Sequence, residues 1–98
     1  MLCLRFEWDA AKGRANERKH GVSFEEAQSV FADDLGLLIY DPDHSEDEDR
    51  FVLLGLSSTL RLLIVCHCHR RGGEVIRIIS PRKADRHERL SYNERWTP

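Results

Sequence analysis

The sequence predicts an α+β fold in which a small antiparallel β-sheet is backed by N-terminal helices and a C-terminal helix. Two helix start signals, at Asp9 and Ser23, occur in the first quarter of the chain. Apolar, β-branched runs separated by short turns follow, and the last segment, from Lys83, carries cations at helical spacing. Strands grouped between helices, without regular alternation of the two, are typical of the α+β class.

The first helix is predicted over the segment AAKGRANERKH, because Asp9 offers an N-cap oxygen before it and Gly21 is suited to end it. Ser23 and Glu26 have the spacing of a capping box for a second helix, from residue 24 to about residue 31. Its apolar residues recur at core-facing spacing, so we assign its aromatic side chains to packing.

Four strands and a closing helix are predicted in the rest of the chain. The strands span residues 35–40, 50–57, 61–70 and 74–80, and the helix spans residues 83 to about 92. Tight turns near Ser58 and at Arg71-Gly72-Gly73 favour an antiparallel meander of the last three strands. Residues 62–65 are apolar on both faces, which predicts a central strand.

The charge of the chain is unevenly distributed. We interpret the 98 residues as a single domain over residues 1–98. The chain carries a net charge of -2. Six acidic residues lie within residues 41–49. From Arg61 onward the chain contains nine Arg or Lys residues and only four acidic residues. We therefore predict a basic C-terminal third, and an exposed acidic loop at residues 43–49 that is either solvated or docked on the protein's own arginines.

Location and thiol state follow from the same composition. No run approaches the roughly 20 apolar residues of a membrane span, and the N-terminus becomes charged too early for a signal peptide. We expect a cytoplasmic protein without a membrane partner. Three cysteines, two of them one residue apart on a strand, favour reduced thiols at Cys3, Cys66 and Cys68.

The run Cys66-His67-Cys68-His69 contains residue types that bind zinc. Because side chains alternate along a strand, the cysteines face one side and the histidines the other, so the four cannot surround one ion. We expect buried thiols on one face and partly exposed imidazoles on the other. The acidic loop lacks the glycine and the terminal glutamate of a calcium-binding EF-hand. We therefore expect neither a metal nor a cofactor.

The sequence has no nucleophile elbow and no glycine-rich phosphate loop. Its cations favour a reaction that needs phosphate neutralisation and transfer of a proton, such as cleavage of RNA by its own 2′-hydroxyl. The candidate phosphate ligands are Arg50, Arg70, Arg77 and Arg82. The candidate proton-transfer groups are His20, His67 and His69, with an ordinary pKa of about 6.5. The alternative is that the arginines only form ion pairs with the acidic residues.

Four stretches, in order, resemble a known family. They are FEWDAAKGRANERKHGVSFEEA, the pattern D-P-x-H-S-x-x-E-x-R ending at Arg50, the pattern H-C-x-R ending at Arg70, and RIIS-x-R-K-A from Arg77. From Phe6 to about Tyr92 the chain resembles the BrnT family of bacterial toxins. The resemblance implies a RelE-like fold with a strongly curved sheet. It also implies a metal-independent endoribonuclease that halts translation by cutting RNA.

The resemblance further implies a BrnA-type antitoxin as partner. This antitoxin would hold the toxin inactive and bind operator DNA, so that the toxin meets operator DNA only through the antitoxin. A heterotetramer of toxin and antitoxin is consistent with that arrangement.

Seven site residues are carried over by motif position: Lys19, His20, Glu48, Arg50, Arg70, Arg77 and Arg82. Lys12, Arg86 and Arg89 are added because they are basic residues on the predicted helices. The predicted catalytic residues are His20, Lys19, Glu48, Arg50, Arg77 and Arg82. The predicted RNA or phosphate ligands are Arg70, Arg77, Arg82, Arg86, Arg89 and Lys12. Where the family usually has alanine before Arg82, this chain has Pro81, which lacks a backbone donor and could re-aim Arg82. An inactive RelE-like module that sequesters the antitoxin is therefore the alternative function, and DNA binding by the basic C-terminal helix is a third.

Overall fold

The computed structural model describes residues 4–45 and 48–94. Cys3, Glu46 and Asp47, on which parts of the thiol and acidic-loop predictions fall, lie outside these residues. The chain runs β1 (Arg5–Glu7), α1 (Ala10–His20), α2 (Phe24–Ser29), β2 (Leu37–Tyr40), β3 (Arg50–Leu56), β4 (Leu62–Arg70), β5 (Val75–Lys83) and α3 (Arg86–Asn93), with short 3-10 turns at Val30–Ala32, Pro42–His44 and Arg71–Gly73. None of the helices in this part of the chain is long and apolar enough to cross a bilayer.

The strands form one sheet in the order β1-β5-β4-β3-β2. Neighbours from β2 to β5 are antiparallel, so both the α+β class and the predicted meander are confirmed. β1 joins the outer side of β5 in parallel, which the sequence did not predict. Three residues are too few to establish a period, and the parallel partner lies seventy residues away in the chain.

The two faces of the sheet are packed differently. On one face, which we call the helix face, α1, α2 and the turn after them cover a core formed by Val22, Phe24, Ala27, Val30, Leu53, Leu63, Val65, Ile76 and Ile78. On the other face, which we call the open face, a smaller core includes Leu54, Ile64, Ala84 and Tyr92 of α3. Since β4 contributes to both cores, its predicted central position is confirmed.

α1 begins and ends at the predicted residues. The Asp9 carboxylate accepts a hydrogen bond from the Lys12 N–H at 3.0 Å, and Gly21 has a φ of 71°, which glycine adopts without strain. The Asn16 side chain donates to the Pro81 carbonyl oxygen at 2.9 Å and so fastens the helix to β5. α1 therefore lies along the sheet on the helix face.

α2 begins with half of the predicted capping box. The Ser23 hydroxyl accepts from the Glu26 N–H at 3.0 Å. The reciprocal half is wrong, because the Glu26 carboxylate instead accepts bonds from Arg61 (2.9 Å from Nε), Ser57 (2.7 Å) and Thr59 (2.6 Å). These bonds, above all the one from Arg61, lower the pKa of Glu26 to about 2. The cluster joins α2 to the turn between β3 and β4.

β5 is longer than predicted, and α3 begins later. The strand continues through Pro81 to Lys83, and the helix begins at Arg86. A capping box fixes this start: the Asp85 side chain accepts from the Glu88 N–H, and the Glu88 carboxylate accepts from the Asp85 N–H, both at 2.8 Å. The prediction that the strand ends before Pro81 is therefore wrong.

Pro81 is tolerated inside β5 because of the direction in which its nitrogen points. The Ala84 N–H donates to the Leu62 carbonyl at 3.0 Å, which sets the hydrogen-bonded pairs of this ladder at every second residue. By this alternation Pro81 lies opposite Val65 in a pair without backbone hydrogen bonds. The nitrogen points away from β4, so the proline removes no bond from the ladder.

Candidate functional site

Three arginines and two glutamates meet on the open face. Arg50, Cys68 and Arg77 occupy one row directly across β3, β4 and β5, and Glu7 of β1 continues the row. Arg70 follows Cys68 by two residues and so points to the same face. We call the set Glu7, Glu48, Arg50, Arg70 and Arg77 the arginine cluster.

Carboxylates hold two of these guanidinium groups in place. Arg70 binds Glu48 in a bidentate manner, with Nε 2.6 Å from Oε2 and Nη2 3.1 Å from Oε1. Its Nη1 donates to Glu7 Oε1 at 3.2 Å, and Arg77 Nη1 lies 3.7 Å from the same oxygen. These side chains are between 32% and 42% exposed, so a ligand can reach them. The predicted docking of the acidic loop on the protein's own arginines is confirmed at Glu48.

The arginines also set the protonation state of Glu48. The hydrogen bonds from Arg70 lower the pKa of Glu48, and the charges of Arg50 and Arg77 act in the same direction. The carboxylate is therefore ionised and able to accept a proton. A phosphate that draws Arg70 away would remove the main cause of the lowered pKa, so Glu48 would become a stronger base when such a ligand binds.

Cys68 lies at the centre of the row but is not a nucleophile. It is 1% exposed, and burial raises the pKa of its thiol. A buried, protonated thiol reacts poorly, because the thiolate is the nucleophilic form. Cys66 and Cys68 are both free. The thiol therefore separates Arg50 from Arg77 in the row, and it interacts with the Arg50 side chain.

Arg82 lies on the open face but outside the cluster. It is five residues beyond Arg77, which corresponds to roughly 16 Å of strand. Its Nη1 and Nη2 each lie 2.8 Å from one oxygen of Glu88 in α3. This bidentate pair raises the pKa of Arg82, lowers that of Glu88 and ties α3 to β5. The sequence placed Arg82 just after the strand, as a phosphate ligand or, in the alternative, as a member of an ion pair. It lies within the strand and is paired with Glu88.

Lys19 and His20 are not brought into the cluster. They end α1 beside Gly21, whose carbonyl accepts a bond from Arg61 Nη2 at 3.0 Å. Arg61 precedes β4, whereas Arg70 ends it, and nine residues of strand span roughly 30 Å. The two residues therefore lie on the helix face, at the opposite end of the sheet.

Lys12 lies in the first turn of α1, at the end that borders the cluster. The hydrogen bond from the Lys12 N–H lowers the pKa of Asp9, and the charges of Lys12 and Arg77 add to that effect. Asp9 thus lies within electrostatic range of the cluster, and Lys12 follows it by less than one helical turn.

Arg86 and Arg89 belong to a second basic region. Both are exposed on α3, and Arg89 Nε lies 3.4 Å from the Ala84 carbonyl. Arg89 lines a cleft with Arg61 and Lys83, near the turn between β3 and β4. These cations are therefore gathered at the other end of the sheet from the arginine cluster.

His67 and His69 lie on the helix face, as the predicted alternation requires, with the cysteines on the open face. His67 is fully buried, and its ring meets Phe31 edge-on with centroids 4.8 Å apart. Its Nδ1 lies 3.0 Å from the Val65 carbonyl, which can only accept, so Nε2 accepts from His69 Nε2–H at 3.2 Å. Burial lowers the pKa of His67 to about 4 and also lowers that of His69. The expectation that His67 is partly exposed and titrates near neutrality is wrong.

Metal ligands are not grouped in the described ranges: no three His, Cys, Asp or Glu residues there are arranged to hold an ion.

Glu7 is the member of the arginine cluster that sequence reasoning missed. Its signal was the charged and aromatic alternation of residues 5–8, which becomes informative once this segment is recognised as a strand beside Arg77.

The fold and the arginine cluster define a class: a small α+β protein whose open sheet face gathers guanidinium groups and carboxylates suited to a phosphate-bearing ligand. A family described as the ribonuclease toxin BrnT of type II toxin–antitoxin systems matches residues 8–88. This match covers most of the chain, which therefore belongs to the BrnT family of ribonuclease toxins, as the motifs indicated. Membership implies an RNA substrate and an antitoxin partner.

A solved structure shares the fold. The crystal structure of the Brucella abortus ribonuclease toxin BrnT, at 1.1 Å resolution, is similar with a TM-score of 0.60 and 22% identity, over 85% of this chain and 99% of that chain. At this identity the likeness shows the fold alone. None of the curated proteins matches the chain significantly.

Proposed function

We propose that this chain is a metal-independent endoribonuclease that cleaves RNA by attack of the RNA's own 2′-hydroxyl and thereby inhibits translation. The observation that carries the proposal is the arginine cluster, which places Arg50, Arg70 and Arg77 around two carboxylates on an accessible face. Guanidinium groups match phosphate oxygens in geometry and charge, and they remain charged at every physiological pH.

The cluster supplies two of the functions that this reaction needs. Arg50, Arg70 and Arg77 neutralise the phosphate oxygens, whose negative charge grows as the fifth oxygen approaches phosphorus. Glu48, released from Arg70 by the phosphate, accepts the proton of the 2′-hydroxyl. The 2′-oxygen then bonds to phosphorus, the bond from phosphorus to the 5′-oxygen breaks, and water protonates the leaving oxygen. The products are a 2′,3′-cyclic phosphate and a 5′-hydroxyl.

Metal independence follows from this assignment, since the arginines do the work that a divalent cation would otherwise do. His20 and Lys19, carried over by motif position, lie at the far end of α1, so their effect on cleavage would have to be indirect. Arg82 would affect cleavage through its ion pair with Glu88. The cations Arg86, Arg89 and Lys12 would contact nucleotides further along the RNA strand.

The test compares two exposed arginines. Arg77→Ala should reduce RNA cleavage in EDTA by roughly 100-fold, as expected for loss of one charge-stabilising donor. Arg18→Ala, an exposed arginine on α1 that belongs to neither basic region, should leave cleavage unchanged. Circular dichroism confirms that both variants fold. Equal activities in the two variants, or cleavage that EDTA abolishes, would contradict the proposal.

We further propose that the antitoxin is of the BrnA type, that operator DNA is bound only through it, and that the complex is a heterotetramer. Membership of a type II toxin–antitoxin family supports a protein antitoxin. Light scattering on the co-expressed complex measures its stoichiometry. In gel-shift experiments, we expect operator DNA to be bound when the antitoxin is present and not by the toxin alone.

A binding module without catalytic activity is the second candidate, favoured by one observation. Arg70 and Arg82 are each already paired with glutamates, Arg70 with Glu48 and Glu7 and Arg82 with Glu88. A phosphate has to compete with these carboxylates for the guanidinium groups. A chain that causes no growth arrest when expressed alone, yet binds the antitoxin tightly, would favour this second function.

A further inference from the structure

The outer edge of β2 is exposed and apolar. β2 is the last strand of the sheet, and within residues 4–45 and 48–94 no strand pairs with its outer side. Leu38, Ile39 and Tyr40 are 50%, 47% and 49% exposed. Consecutive large apolar side chains on an uncovered edge are what soluble proteins usually avoid, because such an edge pairs with other chains.

The backbone groups that this edge offers can be assigned. The Asp41 N–H donates to the Arg50 carbonyl at 2.9 Å, so the inward-pointing groups of β2 lie at Asp41 and, two residues earlier, at Ile39. The N–H and C=O groups of Leu38 and Tyr40 therefore point outward. An extended segment laid along this edge would form hydrogen bonds with both groups of each residue.

A cavity lies next to the edge on the helix face. It has a volume of about 210 Å³ and reaches the edge at Leu38. Its lining is mostly apolar, and also includes Asp33, His69 and Gly73; the apolar residues are Leu4, Phe31, Leu38, Leu53 and Ile76. Side chains of a paired strand alternate between the two faces of a sheet, so one residue of an added strand would lie beside this cavity. Because most of the lining is apolar, it favours an apolar side chain at that position.

The surrounding charges restrict what can occupy the edge. Exposed acids flank the strand: Asp34 precedes it, Asp43 follows it, and Asp49 lies at the start of β3. These acids repel phosphates, which argues against RNA. They also disfavour a second copy of the chain, because antiparallel pairing of two β2 strands would bring Asp34 of one copy near Asp43 of the other. The complementary segment is apolar in its middle and basic at its ends.

We propose that β2 is the docking edge for the antitoxin. An extended antitoxin segment, flanked by Lys or Arg, pairs with Leu38 and Tyr40 as a sixth strand and places one apolar side chain in the neighbouring cavity. This inference rests on the antitoxin partner that the toxin family implies, and it does not depend on catalysis by the arginine cluster.

The test uses the full-length chain and the separately purified cognate antitoxin. Leu38→Lys should weaken binding about tenfold or more, because it removes an apolar contact and repels the basic ends of the segment. Leu90→Lys, a residue of similar exposure (54%) on α3, should leave the affinity unchanged. In the complex of the unmodified chain with the antitoxin, hydrogen exchange at the Leu38 and Tyr40 amides should be roughly 100-fold slower than in the free chain.

Two results would overturn the proposal. One is protection of the arginine cluster or α3 upon antitoxin binding while the Leu38 and Tyr40 amides exchange as in the free chain. The other is a toxin dimer that Leu38→Lys dissolves, which would make a second copy the occupant. If Leu38→Lys fails to fold, the exchange data on the unmodified chain decide. A chain that does not cleave RNA but gains protection at β2 would refute the catalytic proposal alone.

Discussion

The contact between Glu26 and Arg61 yields a stability prediction that can be worked out from the structure. The Glu26 side chain is 11% exposed and accepts bonds from Arg61, Ser57 and Thr59. Its pKa is lowered from 4.5 to about 2. At roughly 1.4 kcal/mol per pKa unit, this lowering corresponds to about 3 kcal/mol. Because Arg61 is 34% exposed, solvent screening reduces the expected contribution to about 2 kcal/mol.

The perturbation is Glu26→Gln, which removes the charge and keeps the shape. At pH 7 the variant should have a free energy of unfolding lower by about 2 kcal/mol. Since the folded pKa lies below the unfolded one, the contribution of Glu26 is fully present above about pH 5 and is lost as the pH falls toward 2. The difference between the two proteins should therefore shrink over that range.

Urea denaturation at a series of pH values from 7 to 3 measures this difference. Glu25→Gln is the matched control, since Glu25 is the exposed neighbour of Glu26 on the same helix. The control should stay within about 0.5 kcal/mol of the unmodified protein. A Glu26→Gln effect below that value at pH 7, or one that does not change with pH, would refute the reasoning.

Three further predictions concern Arg82, His67 and Pro81. Arg82→Ala should lower the free energy of unfolding by about 1 kcal/mol by releasing Glu88 and α3, and urea denaturation with no change would contradict the pairing. His67 should remain neutral until the pH falls to about 4. Because its pKa is lower in the folded state, the free energy of unfolding should decrease as the pH falls from about 6.5 toward 4. An NMR titration midpoint near 6.5 would contradict the burial of His67. Pro81→Ala should change stability by less than about 1 kcal/mol and leave RNA cleavage unchanged. A large gain in cleavage would show that Pro81 misdirects Arg82.

Local signals predicted the elements that depend on local chemistry. Asp9 and Gly21 bound α1 because capping involves only neighbouring residues, and β4 was recognised from its apolar residues on both faces. β1 was not predicted, because its only partner in the described sheet is distant in sequence. The end of β5 was misplaced at Pro81, because a proline ends a strand only where its nitrogen points at a neighbour, which depends on the register of the ladder.

The candidate site was only partly predicted, because local patterns identify residue types but not which distant elements come together. Residue types and motif spacing identified Arg50, Arg70 and Arg77, and the row across three strands brings them together. The separation of His20 from this row depends on where α1 crosses the sheet, which no local pattern encodes. The pairing of Arg82 with Glu88 required knowing that α3 begins at residue 86.

The arginine cluster is proposed to promote cleavage of RNA by the RNA's own 2′-hydroxyl, without a metal ion. Mass spectrometry of the RNA ends produced by the antitoxin-free chain in EDTA tests it most directly. We expect 2′,3′-cyclic phosphate and 5′-hydroxyl ends, produced by the unmodified chain and by Arg18→Ala and lost in Arg77→Ala. Ends that carry a 5′-phosphate, or cleavage that appears only when a divalent cation is added, would contradict the claim.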